Sequence, residues 1–484
     1  MGQKFDVCVI GTGPGGYVAA IRAAQLGLNT AVIEREELGG VCLNVGCIPS
    51  KAMITAAHFF HRVQHDALEM GFEIPGEIKV DMKKLVSWKQ SVCDKMSGGV
   101  AMLLKGNGVL VIKGDATFKT TQELAVKSSK GVESIKAHNF IVATGSRPIE
   151  IPEFAFDEKK ILSSTGALAL DEIPKKVAVI GGGYIGLEIS SYLAKLGAEV
   201  EIIEAASGVL TGVADKDCVQ VVQRRLKKNG VIIHTDAKAK SYKVLGKTLE
   251  LTFEIKGQTK TIKTDKILVT VGRRPNSDQI NRDGIHLETD SNGFIKTNSQ
   301  RQTNLPNIFA IGDVAGQPML AHKASHEGIL VAEVISGQNR AYDVKTVPTV
   351  IFTDPEIASA GWTEDEAIAK GYAELKVGKF PFTANGRAVS MSETDGFVKI
   401  VADAKTHLVL GVHIVGPEAS NLISEAVLAI EMGATLEDLA LSIHPHPTLG
   451  EALMEAAEVT LGHPIHIIQH PLNRGNGSRR RTNA

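Results

Sequence analysis

Two stretches of this chain repeat one another, and the repeat leaves few folds open. Phe5–Ile10 is a short apolar run, followed by Gly11-Thr-Gly13-Pro-Gly-Gly16, an amphipathic stretch to about Leu26, a stop at Gly27 and the run Thr30–Glu34. Residues 176–204 do the same: Lys-Val-Ala-Val-Ile, then Gly181-Gly182-Gly183-Tyr184-Ile185-Gly186, a helical stretch, Gly197 and a run ending in Glu204. Gly11 to Glu34 and Gly181 to Glu204 each span 23 positions, and each first glycine lies 16 positions before the glycine that stops the helix. A strand, a glycine turn, a helix and a strand make a βαβ unit. In such a unit the first glycine allows the tight turn, the second lets a pyrophosphate reach the backbone, and the third lets helix pack on strand. An acid closing the second strand then accepts from ribose hydroxyls. The chain is therefore expected to be α/β, with two halves that each hold a dinucleotide. Glu204 would repel a 2′-phosphate, which favours NAD over NADP in the second half.

Between these landmarks lies Leu38-Gly-Gly40-Val41-Cys42-Leu-Asn-Val-Gly-Cys47-Ile-Pro-Ser-Lys51. A straight helix would put Cys42 and Cys47 roughly 7.5 Å apart along its axis, whereas a disulfide wants Cα atoms about 5.5–6 Å apart. The pair can close only over a bent turn, and Gly39, Gly40, Asn44 and Gly46 supply the freedom for one. Pro49 suits the first position of a helix. Lys51 adds a positive charge one turn on, and both cation and helix N-terminus favour a thiolate. The expected chemistry is a reversible dithiol. Cys8, Cys93 and Cys218 read as packing residues, and five cysteines in 484 residues do not make a secreted disulfide framework.

The remaining chain is ordered by composition and by turns. Helices are expected over about 54–106 and short strands over 109–143, where Phe140-Ile-Val-Ala-Thr144-Gly145-Ser146 ends a buried strand in a tight turn. Residues 231–271 are strand-rich and lead to Gly272 and a boundary at Pro275-Asn276. A further strand ends at Gly312-Asp313, and Met319-Leu320-Ala321-His322 opens a helix to about Ile335. From Val347 an antiparallel α+β domain is expected, holding His444-Pro-His446-Pro-Thr448-Leu-Gly-Glu451. Thr448 and Glu451 fit a capping box. In the functional alternative Glu451 orients His446 as a proton acceptor. With Lys+Arg 53 against Asp+Glu 54, no global charge argues for nucleic acid or an anionic membrane. No spanning apolar run, leader segment or metal-ligand cluster is expected. The polar, glycine-rich tail reads as disordered.

These motifs resemble the FAD-dependent pyridine nucleotide–disulfide oxidoreductase family over residues 4–466, and the histidine motif is close to the form used by its lipoamide-oxidising members. The resemblance implies two Rossmann-like domains, for FAD and NAD, plus a C-terminal α+β dimerisation domain. The FAD domain would take 1–147 and 276–346, the NAD domain 148–275, the interface domain 347–468 and the tail 469–484. One tightly but non-covalently bound FAD per subunit would be met by Gly11, Gly13, Gly16, Glu34, Arg35, Gly40, Val41, Cys42, Lys51, Ala116, Thr144, Gly145, Ser146, Asp313, Met319, Leu320, Ala321 and His322. NAD, as co-substrate, would be met by Gly181, Gly182, Gly183, Tyr184, Ile185, Gly186, Glu188, Glu204 and Gly272. Lys51 would pair with Glu188 beside the flavin, and Cys42, Cys47, His446 and Glu451 would carry the thiol chemistry, with His446 reaching the other subunit's disulfide.

The implied partners are a second copy and a lipoyl group carried by a 2-oxo acid dehydrogenase core or a glycine-cleavage carrier. No nucleic acid or membrane is implied. A cytoplasmic setting is expected, with a mature mitochondrial-matrix form as the alternative. Tyr184 and Gly450 depart from the lipoamide pattern: Tyr184 reads as a packing difference, with a flap over the flavin as the alternative, and Gly450 is a small deviation in the histidine motif. A glutathione-type reductase would want arginines where Ala205-Ala-Ser-Gly stands, and a mercuric reductase a C-terminal cysteine pair that is missing. A docking subunit without turnover is disfavoured by the intact cysteines and dyad.

Overall fold

The computed structural model describes residues 4–468, so the expected disordered tail at 469–484 lies outside the described residues. The chain divides into two compact units. One is built from the chain up to Val213 and Arg224–Val344, the other from Ala214–Gln223 and the chain from Lys345.

In the first unit, the strand Lys4–Ile10 lies between Thr30–Glu34 and Gly131–Val142, parallel to both. Leu110–Lys113 extends one edge, while Glu123–Ser128 and Asp115–Thr120 fold back antiparallel on the other side. Ile308–Ala310 pairs parallel with Gly131–Val142 and completes seven strands. Successive residues of a strand face opposite ways. Accordingly Val7, Val9, Val32 and Ile141 enter one core, and Cys8, Ile10, Ile33, Phe140 and Val142 enter another. Both faces are covered, as a parallel sheet requires.

The second glycine loop sits on its own sheet, in the order Ile232–His234, Glu199–Ile203, Lys176–Ile180, Lys266–Val269, Ile161–Leu162, all parallel. An antiparallel meander, Ala237–Leu245, Thr248–Ile255 and Gln258–Thr264, packs Leu249, Leu251 and Phe253 into that core. The chain passes from one sheet to the other through Ser146–Pro148 and back through Arg273–Pro275, and these two crossings pair as an antiparallel ribbon.

The second unit is a five-stranded antiparallel sheet, Thr349–Ile351, Glu356–Gly361, Val409–Gly416, Phe397–Asp403 and Leu375–Pro381. Ala419–Met432 and Glu451–Leu461 cover it, with Phe380, Val398, Ile400, Val412, Ile423 and Leu453 in one core. Ala214–Gln223 joins this unit through Lys399, whose Nζ lies 2.9 Å from Asp215 and Asp217 and 2.6 Å from Glu364.

Two expectations change. The helix after the cysteine turn starts at Cys47, not at Pro49, so Pro49 occupies the third position, still within the turn that has no use for its N–H. The stretch Gly40–His65 does reach the length and apolarity of a membrane span. It is no continuous helix, since Val45 and Gly46 (φ −134°, ψ −105°) separate Gly40–Asn44 from Cys47–His65.

Candidate active site

The two glycine loops close on themselves in the same way. A Cβ on Gly11 would stand 2.5 Å from the Ala143 carbonyl oxygen, and one on Gly16 2.0 Å from that of Gly11. In the second copy, Gly181 would meet the Thr270 carbonyl at 2.5 Å and Gly186 that of Gly181 at 2.2 Å. The middle glycines, Gly13 and Gly183, have nothing within 4 Å of that position. First and third glycines are thus required by neighbouring backbone, and the middle ones leave a clear approach to the start of a helix. Both loops fit a pyrophosphate.

The acids match as well. One oxygen of Glu34 accepts the Thr12 N–H at 2.9 Å and the other the Glu36 N–H at 2.8 Å. Glu204 accepts from Gly182 and Ala206, the corresponding positions. Each carboxylate braces its own loop and keeps lone pairs over for a ribose.

Between the loops lies the cysteine turn. Gly39 donates its N–H to Thr12 Oγ1 at 3.3 Å, and a Cβ on Gly40 would press on Gly13 Cα at 2.9 Å, so this turn is seated on the first glycine loop. Cys42 sits in the short helix Gly40–Asn44, and Val41 beside it is exposed. Cys47 is the first residue of Cys47–His65. The two sulfurs are thiols in hydrogen-bond contact. That contact divides them. The bond from Cys42 holds the Cys47 thiol below its ordinary range against the cost of burial, and the Lys51 charge adds to it. Cys42 is pushed up by the same bond and by burial. Of the two, Cys47 is the more readily ionised.

Lys51 Nζ meets Glu188 at 2.8 Å, with Glu188 almost wholly buried on the helix Tyr184–Lys195 that leaves the second glycine loop. Seven residues on, the same two helices meet again: Lys195 Nζ lies 3.0 Å from His58 Nδ1. Seven residues is close to two turns, so the helices run side by side in one direction. Tyr184 opens the second of them. The sequence points to a packing role, yet its phenol lies within electrostatic reach of Arg273, Asp313, Glu188 and Cys47, and burial holds it protonated above the ordinary tyrosine range.

On the far side of the turn, Ser146 Oγ donates to Asp313 at 2.5 Å, and Arg273 donates to Ser146 Oγ at 2.8 Å and to its carbonyl at 2.7 Å. Thr144 and Gly145 are stitched to Asn276 through the Thr144 and Gly145 carbonyls. Gly272 has φ +120° and its carbonyl accepts from Ile149. Met319 N–H rests on Gln317, Leu320 precedes the helix Ala321–Ile335, and Ala321 and His322 form that helix's first turn. Arg35 instead donates to Gln279 at the surface, and Ala116 is buried in the strand Asp115–Thr120.

Arg273 and Glu327 escaped the sequence reading, which took Asn276 only as a boundary. Glu327 is wholly buried, accepts the Gly312 N–H at 2.7 Å and faces Arg301 and Lys323, which fixes the turn that carries Asp313. Only Arg273 left a sequence signal, its place directly after Gly272. Among the described residues no group of three or more metal-ligating side chains converges.

In the second unit, His446 Nδ1 donates to Glu451 Oε1 at 2.8 Å, while Oε2 accepts the Thr448 N–H at 2.8 Å. The cap and the dyad expected as alternatives therefore coexist on one carboxylate. Half the capping box is replaced, since Thr448 Oγ1 donates to the Pro445 carbonyl and the helix begins at Glu451. The His446–Pro447 peptide is cis.

A model described as pyridine nucleotide-disulphide oxidoreductase matches residues 5–328, and one for the dimerisation domain of that family matches 347–457. The chain is 50% identical over 467 residues to a dihydrolipoyl dehydrogenase of Bacillus subtilis, covering 96% of this chain and 98% of that one. Similar proteins of the same description from Geobacillus stearothermophilus and Halobacterium salinarum are 49% and 48% identical, again over 96% of this chain and 98% of theirs. Among solved structures, LpdA from Mycobacterium tuberculosis is similar with a TM-score of 0.86 at 26% identity, covering 93% of this chain and 99% of that one. The HOCl-induced flavoprotein disulfide reductase RclA from Escherichia coli follows at 0.83 and 26%, covering 94% and 99%. Two bracketed glycine loops around a cysteine pair, followed by a dimerisation domain, place the chain in the pyridine nucleotide-disulphide oxidoreductase family.

Proposed function

We propose that this chain is a dihydrolipoyl dehydrogenase that oxidises protein-bound dihydrolipoamide and delivers the electrons to NAD⁺, with one FAD held non-covalently in each subunit of a homodimer. The observation that carries this reading is the direct 2.8 Å bridge between the helix that starts at Cys47 and the helix that starts in the second glycine loop. Gly11–Gly16 and Glu34 would hold the adenosine half of FAD, with Ser146 and Asp313 nearer its redox-active ring. Bound FAD supplies the two-electron relay between sulfur and pyridine nucleotide.

The protein's own residues do the thiol chemistry. In the oxidised pair, a substrate thiolate attacks Cys42 Sγ, the Cys42–Cys47 bond breaks, and Cys47 leaves as the thiolate that Lys51 and the helix start favour. The second substrate thiol then attacks the sulfur joined to Cys42, closing the substrate's ring disulfide and freeing Cys42. His446, oriented by Glu451, takes the proton released from the substrate. One disulfide is reduced and one dithiol oxidised.

Glu204 and the alanines that follow it support NAD over NADP. The lipoyl group would come from a carrier or acyltransferase partner of a 2-oxo acid dehydrogenase or glycine-cleavage assembly. The test is to assay the purified yellow protein with dihydrolipoamide and either NAD⁺ or NADP⁺. NADPH-driven reduction of glutathione disulfide without dihydrolipoamide turnover would overturn the reading. Glu204→Ala is expected to raise KM for NAD⁺ about tenfold or more, the scale of losing a charge-assisted hydrogen bond. An unchanged KM would remove Glu204 from the ribose.

A further inference from the structure

One side chain outside the thiol chemistry pins the turn between the two cysteines. Asn44 lies between Cys42 and Cys47, and its amide nitrogen donates to the carbonyl oxygens of Leu38 at 3.0 Å and Gly40 at 2.9 Å. Its amide oxygen accepts the Ser97 hydroxyl at 2.8 Å, from the helix Met82–Gly106. This makes the orientation of the amide unique. Two carbonyls only accept, so they must face the NH₂ group, and the oxygen is left for the one neighbour that can donate.

The reading of Asn44 as a source of backbone freedom does not hold. It ends the helix Gly40–Asn44 and takes no left-handed backbone, whereas Gly39 and Gly40 have φ +91° and +59°. The glycines bend the turn and Asn44 restrains it. Leu38 and Gly40 flank Gly39, whose N–H rests on Thr12 Oγ1. The amide therefore ties the middle of the cysteine turn to the entry seated on the first glycine loop, and Ser97 ties it to a separate helix.

We propose that Asn44, oriented by Ser97, is a positioning residue that sets the reduction potential of the Cys42–Cys47 couple by holding the sulfurs together when no bond joins them. In the disulfide, the S–S bond itself closes the turn and the Asn44 contacts are redundant. In the dithiol they are the restraint that remains, and they deny the reduced turn the freedom that would favour it. The pin thus stabilises the disulfide relative to the dithiol and keeps the potential low. This deepens the dihydrolipoamide reading and rests on its assignment of the redox pair.

The test equilibrates the full-length holoenzyme with a series of reduced and oxidised dithiothreitol, quenches with acid, and counts alkylated Cys42 and Cys47 by mass spectrometry. Each exchange moves two electrons and two protons: the enzyme disulfide becomes two thiols as dithiothreitol closes its own ring disulfide. Asn44→Ala should shift the equilibrium about tenfold toward the dithiol, which is about 30 mV upward for a two-electron couple. Ser97→Ala removes only the orienting donor and should shift it roughly threefold in the same direction. Ser97→Thr, which keeps the hydroxyl, should restore the wild-type value. An unchanged or lower potential in either alanine variant overturns the proposal, as does a Ser97→Thr shift equal to that of Ser97→Ala. Should Asn44→Ala fail to fold, the two Ser97 variants carry the test alone. A wild-type enzyme that forms no Cys42–Cys47 disulfide at any poise would sink the function reading itself, whereas unmoved variants beside an intact wild-type couple sink this proposal alone.

Discussion

Cys42 and Cys47 have the same side chain and nearly the same depth, yet they are not equivalent. Cys47 is the first residue of a helix, receives the Cys42 S–H and lies within reach of Lys51, while Cys42 is the donor. The order of those effects makes a prediction. The bond from Cys42 is the larger, so Cys42→Ala should raise the pH at which Cys47 ionises further than Lys51→Met does. Because a depressed thiol loses its thiolate as pH falls through its own pKa, both variants should lose thiolate absorbance at a higher pH than the reduced wild type. Ultraviolet titration of the dithiol protein measures this. Lys51→Arg separates charge from packing, since it keeps a partner for the buried Glu188. A Lys51→Met titration that overlays the wild type would mean that Lys51 serves Glu188 alone.

At the scale of elements, the helices Cys47–His65 and Tyr184–Lys195 are joined by two polar rungs, Lys51–Glu188 and His58–Lys195. Two rungs fix a register where one would leave the helices free to pivot. A double-mutant cycle on His58→Leu and Lys195→Met should therefore show a coupling of about 1 kcal/mol in chemical denaturation. No coupling would reduce the second rung to a chance contact.

How much of this could be read from sequence follows from the range of each interaction. The glycine loops, the strands that flank them, the helix Ala419–Met432 and the His446–Glu451 pair all rest on residues close in the chain, and each was legible. Arg273 reaches Ser146 across 127 positions and Lys195 reaches His58 across 137, with no local pattern to betray either. The helices Glu364–Ala369 and Leu436–Ala440 were missed because neither is long enough to show a helical period, although each carries a capping box.

Across the whole molecule the chemistry is divided by unit. Both glycine loops, both cysteines and the Lys51–Glu188 bridge belong to the first, and the His446–Glu451 dyad belongs to the second. In the proposed reaction, electron transfer between pyridine nucleotide and the dithiol centre draws on the first set alone, whereas substrate oxidation also needs a proton acceptor. His446→Gln should accordingly lower dihydrolipoamide oxidation by NAD⁺ about 10²- to 10⁴-fold, the range of a lost general base. NADH oxidation by ferricyanide, which moves electrons without a substrate thiol, should stay within about twofold of wild type, since no general base is lost from that path. Glu451→Gln should fall between the two, because an amide can still accept from His446 Nδ1 while offering no charge to an imidazolium. Parallel losses in both assays would mean that the second unit supports the fold of the first and has no separate place in the thiol step. Selective loss of the dithiol reaction assigns the proton to His446 and leaves the electron path where the two bridged helices put it.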